Sequence, residues 1–389
     1  MKRIVALGSS VAFLASVAFT ACSGSGSSPR TTRTTASAST TTKPTARCSG
    51  VKMTKGQPDI DAAPKGTRFC LSGTHDWTLT PKNGDSFVGP AILDGHGAAV
   101  RAFVGSGTSN VTLANLEVRN YAAGDQEAAI SAHGTIGWKF LNLQVHDNGS
   151  SAGGTGANLG VDSLVRGGRY YNNRTLGIGG GGGANGWVID GAEIDHNNFA
   201  NDSYTKRNTS CGYEGGGVKW TAQNVTVKNS YVHDNACKGL WADLNANGAT
   251  ITHTRIADNW DEGIFIEISS GATITDNTIT GNGTRNYNSG SKGCSWLWGG
   301  GITLASSGDA VVARNVLIDN CNGITGTQQD RSDGKPGLLE NLNILDNSVS
   351  GKGKSGVGAD NGANLASRRI TFSGNTFAND ATLIAISGQ

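Results

Sequence analysis

The feature that most constrains the fold is a sequence repeat that begins near residue 90 and recurs about every 24 residues. Each unit is a β-branched run in which apolar and polar residues alternate, and an asparagine closes it. The intervals between closing asparagines are 23–25 residues, except for two intervals of 37 and 38 residues. Short strands and polar turns at this period predict a solenoid of stacked coils. The closing asparagines are Asn148, Asn173, Asn198, Asn235, Asn259, Asn282 and Asn320.

The amino-acid composition agrees with stacked short strands. The chain of 389 residues contains 58 glycines, and charged residues make up only 16% of it. Many glycines and few charges suit tight turns, and no segment has the sustained 3.6-residue apolar period of helical repeats. A formal net charge of +2 argues against a nucleic-acid partner, because phosphate backbones bind basic surfaces.

The first 22 residues have the pattern of an export signal. Two basic residues precede an apolar run, 4–19, and the small residues after it end at Cys22. This run resembles a bacterial lipoprotein signal, a resemblance which implies that Cys22 is lipidated and anchors the protein to a membrane. We therefore expect residues 1–22 to be a signal peptide and the protein to be an extracellular lipoprotein. The alternative is a cleaved signal that releases a secreted, soluble protein.

Residues 23–47 are predicted to be a disordered linker. They contain 14 serines and threonines, four basic residues and no acidic residue. Such a segment buries too little apolar surface to offset its chain entropy. We expect it to tether the folded domain, residues 48–389, whose first part, 48–90, would form an N-terminal cap.

Once Cys22 is set aside, six cysteines remain in the predicted domain. Six cysteines in an exported protein indicate disulfides, and no C-x-x-C motif or Cys/His cluster indicates zinc. Fifteen connectivities are open, and pairing between neighbours is the simplest. The neighbouring pairs are Cys48–Cys70, Cys211–Cys237 and Cys294–Cys321.

From about residue 91 to 378 the repeat resembles the right-handed parallel β-helix proteins of the pectate-lyase-like group. The resemblance implies an all-β, right-handed parallel β-helix solenoid, expected here as a monomer. The two long intervals place inserted loops at 199–216 and 283–300, and long loops on rigid scaffolds usually bind ligands. Lyases, glycosidases, epimerases and adhesive proteins share this fold, so function must be argued from a site.

One column of strands contains the candidate site. Its five segments start with glycine and span 217–221, 239–243, 263–267, 301–305 and 323–327. Because side chains alternate along a strand, the apolar second and fourth positions are predicted to point into the coil. The third and fifth positions then point outward. They include Lys219, Trp241, Asp243, Phe265 and Glu267.

The outward carboxylates suggest a chemical task. Asp243 and Glu267 are predicted to be neighbours in adjacent coils, although like charges side by side destabilise a sheet. Paired carboxylates carry out glycoside hydrolysis, so we take Asp243, Glu267 and the nearby Lys219 as candidate catalytic residues acting on a polysaccharide. The structural alternative is a solvated outer ladder in which Lys219 offsets Asp243.

Aromatic and acidic residues nearby are candidates for substrate binding, because an indole offers the apolar platform that sugar faces prefer. They are Trp241, Phe265, Glu214, Trp296 and Trp298. Trp296 and Trp298 could equally pack the second loop onto the helix. No cofactor is required for hydrolysis, although Asp243, Glu267 and Glu214 could instead bind calcium through their oxygens.

Two other functions remain open. The Glu214–Lys219 spacing is similar to that of β-helix lyases of the chondroitinase B and alginate lyase type, which implies a calcium-binding acidic residue and a lysine base. Those enzymes place an arginine on the next coil, where this chain has Trp241 and Asp243. A non-enzymatic module that binds glycans through Trp241, Trp296 and Trp298 is the third hypothesis.

Overall fold

The computed structural model describes residues 48–198, 214–284, 295–329, 338–360 and 369–383. The predicted signal peptide, Cys22 and the linker lie outside these described residues. Within the described ranges, no helix has the length and apolar character needed to cross a membrane.

Short strands make up most of the described chain, and its one helix, α1, spans Gln57–Ala62. The strands before residue 199 are β1 (Val51–Lys52), β2 (Arg68–Cys70), β3 (Thr74–His75), β4 (Ser86–Asp94), β5 (Phe103–Val104), β6 (Thr112–Arg119), β7 (Ala128–Ser131), β8 (Lys139–Leu141), β9 (Gln144–His146), β10 (Thr155–Asn158), β11 (Leu164–Arg166), β12 (Arg169–Tyr171), β13 (Leu176–Gly180), β14 (Val188–Asp190) and β15 (Glu193–Asp195). The strands between residues 214 and 284 are β16 (Gly216–Trp220), β17 (Thr226–Lys228), β18 (Tyr231–His233), β19 (Lys238–Ala242), β20 (Thr250–Thr252), β21 (Arg255–Ala257), β22 (Ile264–Glu267), β23 (Thr273–Thr275) and β24 (Thr278–Thr280). The strands after residue 294 are β25 (Gly300–Ala305), β26 (Val311–Ala313), β27 (Val316–Ile318), β28 (Asn322–Gln329), β29 (Leu342–Leu345), β30 (Ser348–Ser350), β31 (Lys354–Asp360), β32 (Ile370–Ser373), β33 (Thr376–Ala378) and β34 (Thr382–Leu383).

These strands form two long sheets in which successive coils pair in parallel. The eleven-stranded sheet takes one strand per coil, in the order β5-β7-β10-β13-β16-β19-β22-β25-β28-β31-β34. The second sheet has 23 strands and takes two from most coils, such as β17 and β18. Each strand pairs with its counterpart one coil later, as β16 does with β19 and β19 with β22. The predicted solenoid of parallel coils is therefore confirmed.

The predicted alternation of inward and outward residues is also confirmed in the eleven-stranded sheet. Val218 and Trp220 on β16, and Leu240 and Ala242 on β19, are buried in the main hydrophobic core. Burial of a large apolar side chain contributes about 1.5–3 kcal/mol to the stability of the fold. Because the apolar residues of successive coils are all buried on the inner side, the opposite face of each strand must point outward. The outward residues of the same strands are thereby held at defined positions.

Asparagine side chains form a buried ladder along the axis at the turn that precedes the eleven-stranded sheet. Asn235 shows the pattern: its amide nitrogen donates to Asn259 Oδ1 at 2.9 Å and to the carbonyl oxygen of Ile194 at 3.0 Å. The third member is Asn197 and not Asn198, whose side chain donates to the backbone of the next coil. The closing position predicted for that coil was therefore one residue too late. The ladder consists of Asn148, Asn173, Asn197, Asn235, Asn259, Asn282 and Asn320.

The ladder explains why strands in this column begin with glycine. A Cβ placed on Gly239 would lie 2.8 Å from the side-chain nitrogen of Asn259 and 2.6 Å from the carbonyl oxygen of Gly263. Both distances are too short for any side chain. The glycine is therefore required by the close approach of the asparagine amide.

The described cysteines agree with part of the predicted disulfide pattern. Cys48 and Cys70 are bonded, with their Cα atoms 5.8 Å apart, so that pairing is confirmed. Cys237 and Cys321 are also disulfide-bonded. Their predicted partners, Cys211 and Cys294, lie outside the described residues.

We expect peptide mapping without reduction to recover Cys211 joined to Cys237 and Cys294 joined to Cys321. Each bond would fasten an inserted loop to the coil that follows it, and closing loops of this length contributes about 2–4 kcal/mol. A peptide that joins Cys211 to Cys294 or Cys321 would contradict this arrangement.

Candidate functional site

The outward face of β16, β19 and β22 brings the predicted site residues together. The register pairs Lys219 with Trp241 and Trp241 with Phe265. It also pairs Ala242 with Ile266, which places the following residues, Asp243 and Glu267, side by side in adjacent coils. Parallel strands in a sheet are about 4.8 Å apart.

Lys219 is the electrostatic centre of this face. Its ammonium nitrogen donates to Glu214 Oε1 at 2.8 Å and lies 3.0 Å from Asp243 Oδ2. The same nitrogen lies 3.6 Å from the centre of the Trp241 ring. One cation therefore bridges two carboxylates while it lies against an aromatic face.

Trp241 and Phe265 differ from the expectation of an open sugar platform. Their exposed fractions are only 4% and 3%, and they form a small apolar cluster with Ala305, against which Trp298 packs. Ring centres are 5.8 Å apart for Trp241 and Phe265 and 6.1 Å apart for Phe265 and Trp298. The two buried rings therefore pack under the charged groups of the site, and they do not form an exposed surface on which a sugar could stack.

Four members of the predicted set are half-buried and thus more accessible than the others: Glu214, Glu267, Trp296 and Trp298. Glu267 is half-buried, and its Oε2 accepts a hydrogen bond from the Trp241 indole nitrogen at 3.1 Å. Trp296 is half-buried as well. The indole therefore fixes the orientation of the Glu267 carboxylate, which still reaches solvent.

An open cleft of about 360 Å³ begins beside Lys219 and extends over the preceding coils of the same face. Its floor includes Gly179–Gly181, and a Cβ added to Gly181 or Gly183 would meet no atom within 4 Å. The open part of the glycine run is therefore at Gly181 and Gly183. The other lining residues are Gln126, His133, Thr155, Asn158, Leu176, Glu214, Lys219, Trp220, Thr221 and Leu244.

The candidate calcium ligands Glu214 and Asp243 do not leave space for an ion between them. The Lys219 ammonium lies between Glu214 and Asp243, where a calcium ion bound by both would have to lie. Among the described residues, one group has ligand atoms close enough for a metal ion, and it lies on β15 and β18 of the other sheet. There Arg169 already pairs with both oxygens of Asp195.

Three buried charged residues beside the site were missed in the sequence. The Lys238 nitrogen lies 3.0 Å from Asp261 Oδ2 and 3.5 Å from Glu262 Oε2. It also lies 4.8 Å from the Trp241 ring centre and 5.1 Å from that of Phe265. The only available signal was the presence of three charged residues just before or at the start of glycine-led strands.

Comparisons with known proteins agree with this architecture. A family model described as "Right handed beta helix region" matches residues 128–295. Comparison with curated proteins gave no match.

Several solved structures are similar at low sequence identity. The A-module of the Azotobacter vinelandii mannuronan C-5 epimerase AlgE6 is 15% identical, with 84% of this chain and 94% of that chain covered and a TM-score of 0.46. The alginate lyase AlyF-OU02 is 13% identical, with 88% and 86% covered and a TM-score of 0.48. The Streptococcus pneumoniae surface protein and adhesin PfbA is 10% identical, with 83% and 90% covered and a TM-score of 0.46. The parallel coils and the matching model together identify the chain as a right-handed parallel β-helix protein.

Proposed function

We propose that the protein is an extracellular carbohydrate-active enzyme that binds a glycan along the eleven-stranded sheet and hydrolyses it. The observation that carries the proposal is the Glu214–Lys219–Asp243 ion-pair set at the edge of the open cleft. The cleft offers amide, hydroxyl and imidazole groups for sugar hydroxyls, and glycines leave room for the rings. Concave sites with a few convergent polar groups are typical of small-molecule and saccharide binding.

The two carboxylates have different surroundings, which assigns them different roles. Asp243 Oδ2 lies 3.0 Å from the Lys219 nitrogen, and we assign Asp243 the role of nucleophile or general base. Glu267 Oε2 accepts a hydrogen bond from the neutral indole of Trp241. Because Asp243 is the carboxylate in contact with Lys219, we assign Glu267 the role of proton donor to the leaving oxygen. The scissile bond would lie one coil beyond the cleft, over Asp243 and Glu267.

A lyase is the second candidate, because the Lys219 amine borders the cleft. A lysine base needs a free amine, however, and the Lys219 nitrogen is engaged by two carboxylates, Glu214 at 2.8 Å and Asp243 at 3.0 Å. Hydrolysis does not have this conflict, and we therefore rank it first. A module that binds glycans without cleaving them is the third candidate.

Incubation of the full chain with a panel of neutral, amino-sugar and uronate polysaccharides tests the proposal. New reducing ends without ultraviolet absorbance support hydrolysis, and an unsaturated, absorbing product supports the lyase. The Asp243→Asn/Glu267→Gln double variant is the control for contaminating enzymes. Binding without any product, in wild type as in the variant, would leave only the binding module.

We also propose that Cys22 is lipidated and that residues 23–47 hold the domain away from the membrane. The Cys22→Ser variant is then expected to leave the membrane fraction and appear in the medium, because stable anchoring requires attached acyl chains. Cell fractionation and immunoblotting measure this. If the variant stays with the membrane to the same extent as wild type, the proposed anchor is wrong.

A further inference from the structure

Lys238, Asp261 and Glu262 form a buried triad behind the candidate site. The side chains of Lys238, Asp261 and Glu262 are 7%, 11% and 2% exposed. The Lys238 nitrogen donates to Asp261 Oδ2 at 3.0 Å. The amine and the carboxyl group are thus in contact before any rearrangement.

Aromatic rings lie beside the buried triad. The Trp241 and Phe265 rings border the Lys238 nitrogen. Glu262 Oε1 accepts one hydrogen bond, from the backbone nitrogen of Gly299 at 3.0 Å, whereas Glu262 Oε2 is buried and accepts none from the described chain. One cation and two anions in such a place leave an excess buried charge, which is costly.

The titration of the triad reflects this conflict. Burial raises the pKa of Glu262, and the adjacent Asp261 charge raises it further. Burial acts to lower the pKa of Lys238, but the charges of Asp261 and Glu262 outweigh it and raise that pKa. The resting lysine is therefore an ammonium ion, and Glu262 is a carboxylate that readily takes up a proton.

We propose that Lys238 and Asp261 join covalently through an intramolecular isopeptide bond, with Glu262 as the proton shuttle. Glu262 accepts a proton from the Lys238 ammonium, and the freed nitrogen lone pair attacks Cγ of Asp261. The C–N bond forms, one C–O bond of Asp261 breaks, and the oxygen leaves as water with two protons from the former ammonium. An ammonium and a carboxylate become an amide and one water molecule, and Glu262 returns to its original state.

Two physical factors favour the reaction in this place. Fixed contact between the groups replaces a bimolecular encounter, which can be equivalent to very high effective concentrations. Amide formation also removes one buried cation and one buried anion, whose burial is costly. In water the two charged groups are well solvated and resist condensation, whereas here the loss of both charges favours it. The link would join β19 to the turn before β22, next to the segment that carries Trp298.

Lys219 supplies a matched comparison within the same molecule. It also contacts two carboxylates, Asp243 at 3.0 Å and Glu214 at 2.8 Å. Glu214 is 27% exposed, so water solvates this second set and can stabilise its charges. Lys219 is therefore expected to stay unlinked.

Intact mass spectrometry of the full chain, after reduction and alkylation of its cysteines, tests the proposal. The mass should be lower than the sequence mass of the same N-terminal form by one water molecule. Trypsin should then fail to cut after Lys238 and release peptide 229–255 joined to peptide 256–285. It should still cut after Lys219. Full mass together with a free peptide 229–238 would overturn the proposal.

Variants separate the roles of the three residues. Lys238→Arg and Asp261→Ala should restore the full sequence mass, and Glu262→Gln should lose most of the linked peptide while Lys238 and Asp261 remain. Circular dichroism checks that each variant keeps its β-structure. If the Glu262→Gln variant forms the Lys238–Asp261 bond as completely as wild type, the proton-shuttle role of Glu262 is wrong. The mass of the wild-type protein alone decides whether the bond exists.

Discussion

Asp243→Asn and Glu267→Gln are each expected to lower the turnover of a cleaved glycan by at least about 10²-fold, as the loss of an acid–base group does. Asn cannot act as the nucleophile or general base, the role proposed for the Asp243 carboxylate that contacts Lys219. Gln cannot release a proton to the leaving oxygen, although it keeps the size of Glu267 and can still contact the Trp241 indole. Initial rates of reducing-end release measure the effect.

Asp190→Asn is the matched control for these substitutions. Asp190 is a half-buried carboxylate on β14 of the other sheet, 3.8 Å from Lys228, and it is not among the candidate site residues. Its removal should leave the rate unchanged. Wild-type rates in both the Asp243 and Glu267 variants would rule out the site assignment, whatever the substrate.

Asn235→Ala is expected to destabilise the fold by about 2–4 kcal/mol, because it leaves several buried polar groups without partners. The side chain of Asn235 donates to the carbonyl oxygen of Ile194 and to Asn259, and it accepts from the backbone and side-chain nitrogens of Asn197. Alanine replaces none of these hydrogen bonds. Urea unfolding followed by circular dichroism measures the change.

Asn83→Ala is the control that separates the stability lost by breaking the buried asparagine ladder from the stability lost by replacing any asparagine. Asn83 is exposed, and its side-chain oxygen accepts one hydrogen bond from the backbone nitrogen of Ser109. We expect a loss below about 1 kcal/mol, since water can replace that bond. Equal losses in the Asn83 and Asn235 variants would contradict the structural role given to the buried ladder.

The fold was predictable because two periods in the sequence have direct geometric meaning. The interval of about 24 residues is the length of one coil, and the alternation within each strand fixes which side chains point inward. These two rules were enough to place Lys219, Trp241, Asp243 and Glu267 on one outward face.

These two rules could not predict how deeply the outward side chains are buried, or which contacts the turn residues make. Outward parity does not reveal that Trp241 and Phe265 are covered by neighbours such as Trp298. Asp261 and Glu262 precede β22, so their directions depend on turn conformation and not on strand alternation. The shift from Asn198 to Asn197 has the same origin, because two adjacent asparagines satisfy the repeat equally well.

The most direct test of the proposed site is a crystal structure of the Asp243→Asn/Glu267→Gln variant with an oligosaccharide that the wild-type enzyme cleaves. We expect a sugar chain that runs over Gly179–Gly181 and past Lys219. We also expect a glycosidic oxygen within hydrogen-bond distance of residue 267. An oligosaccharide bound on the 23-stranded sheet, or one whose scissile bond is remote from residues 243 and 267, would contradict it.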